Sequence, residues 1–244
     1  TKTVDDTTVK NCVLKGEVSV NINSILTDNT YEVATAKTGV IVADGEKATI
    51  KGGTFNVAGT GIGISTAGTL DVTTSTFTAT GTTETATGIK STDADETTTI
   101  TSNTFDGFKI ALDIDAGSVQ TNRIKWNSIL NSVTDAIDAE VAVNATFNWF
   151  GTTVVADVKA KLDGTVTVEP LLSGIAADVL SKQVYGVNVA LLDAKTTVGV
   201  NVVSTTTAAD LISLVKFAES PEGALTDAIA FYDVYVIGTN AATD

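Results

Sequence analysis

The sequence predicts an all-β chain in two parts: a right-handed parallel β-helix over residues 1–173 and a small antiparallel β-sandwich, immunoglobulin-like, over residues 174–244. Three observations carry that expectation. Two short apolar motifs recur in step through the first part, no convincing helical pattern separates their copies, and alternating stretches replace the repeat beyond residue 174.

The first motif reads apolar, four residues, apolar. Its copies are Ile50–Phe55, Val72–Phe77, Ile100–Phe105 and Ile124–Ile129, spaced 22, 28 and 24 residues apart. A weaker copy runs from Val9 to Leu14, and Ala145-Thr146-Phe147 reads as a shortened last one. The second motif is a small residue followed by an apolar one: Gly39-Val40, Gly61-Ile62, Gly88-Ile89, Ala111-Leu112 and Ala136-Ile137. Its anchors Val40, Ile62, Ile89, Leu112 and Ile137 keep the same irregular period. Constant strand motifs with variable coil length point to stacked coils, each climbing by the ~4.8 Å that separates neighbouring strands. A leucine-rich repeat has a similar period but needs a Leu-x-x-Leu-x-Leu frame, which is absent.

That register makes definite columns. Ile50, Val72, Ile100 and Ile124 stack inside, as do Phe55, Phe77, Phe105 and Ile129. Thr54, Thr76, Thr104 and Ser128 form a hydroxyl column, and Asn103 over Asn127 begins an amide ladder. Past the last coil, Val155, Val158 and Leu162 have helical spacing, with Thr152 or Thr153 as N-cap and Gly164 as stop. Such a helix would cover the exposed edge of the solenoid. The alternating stretches from Val184 to Ile237, broken by the turn Pro221-Glu-Gly223, account for the sandwich.

Thr146-Phe147-Asn148-Trp149-Phe150-Gly151, with Val166-Thr-Val-Glu-Pro170-Leu171-Leu172 after it, resembles the Asn-Trp-Trp-Gly terminal signature of right-handed β-helix repeat proteins. Phe150 stands where that signature has its second tryptophan. The resemblance spans about residues 38–172. It implies a cell-surface, S-layer-associated or carbohydrate-related protein and is specific for fold more than for activity.

Composition narrows the function. A net charge of −14 argues against nucleic acid and anionic membranes as partners. No apolar run approaches the ~18 residues of a membrane span. The single cysteine, Cys12, excludes an internal disulfide framework, and the absence of histidine removes the commonest general base and metal ligand. No charged leader opens the chain, so Thr1 reads as the start of a mature or excised fragment.

Candidate chemistry is sparse. Arg123-Ile124-Lys125 matches the substrate-carboxylate motif of polygalacturonase-like hydrolases, but the remainder of that site is missing. Arg123 and Lys125 should flank the inward Ile124 on the outer face. Residues after the second motif's anchors place Gly63, Lys90, Asp113 and Asp138 on successive coils, followed two positions later by Ser65, Thr92, Asp115 and Glu140. Asp113, Asp115, Asp138 and Glu140 therefore form an outward acidic square, readable as a solvated face with Lys90 above it, as a Ca²⁺ site or as an acid/base pair. Asp93-Ala-Asp95-Glu96 is a second cation candidate. Trp126 is the one repeat aromatic not committed to an inward column, a platform for a sugar ring or a residue packed under a neighbouring turn.

The expected function is that of a non-catalytic extracellular cell-surface fragment, structural or adhesive. Its partners would be polysaccharide or neighbouring surface-layer subunits. The alternative is a lyase or glycoside hydrolase acting on acidic plant or microbial polysaccharide.

Overall fold

A computed structural model describes residues 7–81, 85–92, 97–115, 124–168, 171–172 and 174–175. The sandwich expected over residues 174–244 lies outside the described residues except for 174–175, and so do Arg123, Asp93, Asp95 and Glu96.

The chain winds through six coils of three short strands. The first coil is β1 (Thr7–Lys10), β2 (Val13–Leu14) and β3 (Val18–Val20), and the second is β4 (Ser24–Thr27), β5 (Thr30–Val33) and β6 (Thr38–Val42). Next come β7 (Lys47–Lys51), β8 (Thr54–Ala58) and β9 (Ile62–Thr66), then β10 (Thr69–Thr73), β11 (Thr76–Thr80) and β12 (Thr87–Ser91). The fifth coil is β13 (Thr98–Thr101), β14 (Thr104–Asp106) and β15 (Ile110–Ile114), and the sixth is β16 (Ile124–Lys125), β17 (Ser128–Leu130) and β18 (Asp135–Asn144). Helix α1 (Val155–Lys159) and β19 (Leu162–Thr167) follow. Each strand pairs parallel with its counterpart one coil away, giving sheets β1-β4-β7-β10-β13-β16, β2-β5-β8-β11-β14-β17 and β3-β6-β9-β12-β15-β18-β19. The described residues form a parallel β-solenoid.

The two predicted apolar columns are in register as expected, and each gains residues at its start. Val9 and Leu26 precede Ile50 in the first sheet, and Leu14 and Tyr31 precede Phe55 in the second. Leu26–Tyr31 is thus a further copy of the first motif, beyond those expected from the sequence. Tyr31, Phe55, Phe77 and Phe105 form one stack, with successive centroids 4.1, 4.4 and 4.6 Å apart. Burial pushes the Tyr31 phenol up to about 12, against a lowering hydrogen bond from Asn29.

The four residues between the motif's apolar ends are a corner. Asn11, Asp28, Gly52, Thr74, Ser102, Trp126 and Phe147 all take positive φ there, between 51° and 66°. Where the next residue is asparagine it forms a ladder. Asn127 Oδ1 accepts from the Asn103 backbone N–H at 2.9 Å, and Asn127 Nδ2 donates to the Ile100 carbonyl at 2.8 Å. Asn148 does the same for Asn127 and Ile124, and Asn103 for Ser75 and Val72. Asn29 serves Cys12 and Val9 at the other end. Each amide therefore satisfies one donor and one acceptor of the preceding coil, groups whose orphaning would cost about 1–3 kcal/mol each.

The third sheet corrects one alignment. Val40 pairs with Ile64, and Ile64 with Ile89, so the anchor of the third coil is Ile64 and not Ile62. The segment Gly61-Ile62-Gly63-Ile64 contains the small–apolar pair twice, and a slip of two residues preserves strand alternation. Packing decides between them. Gly39, Gly63 and Gly88 stack, and a Cβ built on Gly63 would meet the Gly88 carbonyl oxygen at 2.5 Å and the Phe77 ring at 3.2 Å. The glycines make room for the phenylalanine stack.

The last coil is closed by the chain that follows. Trp126 N–H donates to Phe147 O, Ile129 N–H to Trp149 O and Leu172 N–H to Asn148 O. Helix α1 forms where its valines predicted it and buries Val158. It is shorter than expected, because Leu162 and Gly164 belong to β19, which pairs with β18. Val154 is the N-cap and makes no side-chain cap; the Thr152 hydroxyl instead accepts from Val154 N–H.

Candidate functional site

The outward face of the third sheet carries the densest set of charges predicted from sequence. Its register aligns Ser65, Lys90, Asp113, Asp138 and Asp163 in one column. Ser65, not Gly63, stands beside Lys90. Asp163 of β19 extends the column by one coil, at a place where the spacing of Val155, Val158 and Leu162 predicts helix.

Lys90 closes half of the acidic square. Its Nζ donates to Asp113 Oδ2 at 2.8 Å and to Asp115 Oδ1 at 2.9 Å. Burial pulls the ammonium pKa down, but the two carboxylates outweigh it and hold it above the usual lysine value. Asp113 is pushed upward, chiefly by burial and further by Asp115, against the lowering influence of Lys90. Among the described residues no lysine forms an ion pair with Asp138. Burial raises its pKa first, then the charges of Asp113, Asp163, Asp135 and Glu140. Asp135 rises by burial and by Asp163, opposed by Lys161 and Lys109. Among the described residues no group of three or more Asp, Glu or Cys side chains converges to hold a metal ion. The four carboxylates proposed as ligands share a face without forming a cage.

Trp126 offers no sugar platform. It is fully buried, its ring stacked on Phe147 at 5.1 Å and 19°. The covering residue is its own counterpart in the closing segment, one step further along the corner column. The same cover acts on Lys125, which was expected on the outer face but is only 7% exposed, with Nζ 5.6 Å from the Phe147 ring centroid. Ile124 points inward as predicted.

A groove of about 810 Å³ was not anticipated. It runs across the corner between the second and third sheets of the first four coils, with Val13, Val33, Ala34 and Ala58 among its apolar lining and Lys15, Glu17, Glu32 and Lys37 at its charged positions. Glu17 pairs with Lys37 at 3.9 Å, and Asn56 donates to Glu32 at 3.0 Å. No sequence motif signals it, because its lining is gathered from strands and turns of four different coils. Among the described residues no helix is long and apolar enough to cross a membrane.

The chain matches no protein-family model, no curated protein and no solved structure. The terminal-signature resemblance therefore has no support from these comparisons. Within the solenoid, Asn148 of that segment continues the ladder and Trp149 bridges to Ser128.

Proposed function

We propose that this chain is a non-catalytic structural or adhesive module of an extracellular cell-surface protein, working as a stiff support for polysaccharide or for neighbouring surface-layer subunits. The observation that carries this reading is the use made of the chemistry-bearing side chains. Lys90, Asp113 and Asp115 close on one another across two coils, Trp126 and Lys125 pack under Phe147, and Asn29, Asn103, Asn127 and Asn148 are consumed by the ladder. Continuous internal columns favour stiffness over the loop movement that active sites use.

Incubation with pectin, xylan and alginate, with and without Ca²⁺, is the test. The expected result is neither reducing ends nor unsaturated products. Turnover that disappears on Asp113→Ala or Arg123→Ala overturns the proposal in favour of a polysaccharide-cleaving enzyme. A glycan array then separates adhesion from scaffolding alone.

A further inference from the structure

The two ends of the solenoid are built differently. At the C-terminal end the sixth coil is covered by the segment 145–149, by α1, by β19 and by the buried Leu171 and Leu172. At the other end, among the described residues, β1, β2 and β3 each pair on one side only. Yet the first coil has the construction of an interior one. Its inward positions are Val9, Leu14 and Val18, apolar like Ile50, Phe55 and Ile64 in the third coil, but only partly buried. Val13 is 64% exposed. Its corner repeats the interior corner in detail: Asn11 takes positive φ at 56°, and Asn29 serves the Cys12 N–H and the Val9 carbonyl. A terminal repeat normally carries a polar outer face or a covering element, because an open apolar edge invites strand addition.

We propose that the edge formed by β1, β2 and β3 receives one more β-coil of the same pattern, an extended polypeptide segment with apolar, four residues, apolar spacing that pairs parallel with all three strands. What covers each of the next five coils on the side away from this edge is another coil or the closing segment in register, and the geometry of the first coil continues that interface without change. The corner also specifies how the incoming segment is read. Cys12 occupies the ladder position, where its side chain would face the ladder N–H of the added coil as Asn29 faces that of Cys12. A thiol accepts and donates only weakly, and the Cys12 thiol already donates to the Lys10 carbonyl at 3.3 Å, so it cannot hold the added coil as an amide would.

The test extends the full chain with a copy of Lys47–Gly68 placed directly before Asp6, in place of Thr1–Asp5, so that the copied Ile50 falls in register with Val9. The expected result is a rise in Tm of about 5 °C or more, as repeat addition supplies a new interface. Cys12→Asn is expected to leave Tm of the parent chain within about 1 °C and to raise it only in the extended chain, where the amide has a coil to serve. A copy carrying Ile50→Ser, Phe55→Ser and Ile64→Ser should give no rise. The proposal is overturned by an unchanged Tm in the extended chain, by an equal gain from the serine copy, or by an equal Cys12→Asn effect in both backgrounds. It is also overturned if the parent chain sediments as a dimer that Val13→Lys dissociates, since a second copy would then occupy the edge.

Discussion

The solenoid contains two ladders of like residues one coil apart, and they have opposite energetics. At the corner, Asn103, Asn127 and Asn148 stack as Asp113, Asp138 and Asp163 do on the third sheet. The spacing is the same. An amide carries both a donor and an acceptor, so each asparagine bonds its neighbour and the backbone of the coil before it. A carboxylate only accepts, so stacked aspartates repel unless a lysine one coil away pairs with them, as Lys90 does with Asp113 and its same-coil neighbour Asp115. Stacking identical side chains is therefore neutral in itself; the donor count decides whether it binds the coils or strains them.

The sharpest way to break the comparison is to put a carboxylate into the amide ladder. Asn127→Asp turns the donors to Ile100 O and Asn148 Oδ1 into acceptors facing acceptors. We expect a loss of about 4 kcal/mol or more by urea denaturation at pH 7. Part of it should return at pH 4, where a protonated aspartate donates again. Next in size is Lys90→Met, which leaves Asp113 and Asp115 facing each other. Because all three groups are partly exposed, the expected loss is about 1 kcal/mol, reduced further by 1 M salt.

The converse substitution, Asp138→Asn, places an amide in the acidic column. We expect a gain of about 0.5 kcal/mol at pH 7 and a flatter pH profile. The pH dependence itself sharpens the comparison. Asp113, Asp135 and Asp138 all have folded-state values above the ordinary 3.8, so the folded chain binds these protons more tightly than the unfolded one. Their contribution is complete below pH 3.8 and is lost as pH rises through the folded values. The urea midpoint should thus climb as pH falls from 7 toward 4, and less so in Asp138→Asn. A midpoint that falls over that range would contradict the repulsive reading of the column.

The columns from Ile50 and Phe55 onward were legible in the sequence because apolar ends a fixed five positions apart survive any change in turn length. The Leu26–Tyr31 copy escaped notice because Leu26 follows Val9 by only 17 residues and because tyrosine replaces phenylalanine. The ladder was legible at Asn103 and Asn127 alone; Gly53 and Ser75 interrupt the run that leads back to Asn29. At the acidic face, alternation alone could not separate Ile62 from Ile64, since both leave the same faces in and out. The pairing of Asp113 with Asp138 was nevertheless correct, whereas Asp163 was hidden by valines whose spacing reads as helix through Leu162. The burial of Trp126 and Lys125 depends on Phe147, a residue one coil away, and no local pattern announces such a cover.

The corner of positive φ has a use beyond folding. Asparagine, aspartate, glycine, threonine, serine, tryptophan and phenylalanine all occupy it, so its backbone conformation is imposed by the coils around it and not by the residue. Seven residue types are accommodated, at a local expense of about 1–2 kcal/mol for a residue other than glycine. Its exposed or half-exposed members, Asn11, Asp28, Thr74 and Ser102, lie along a line set by the ~4.8 Å strand spacing, a molecular ruler. Groups attached along it, whether chromophores, sugars or metal chelators, would be held in file at a pitch set by the backbone.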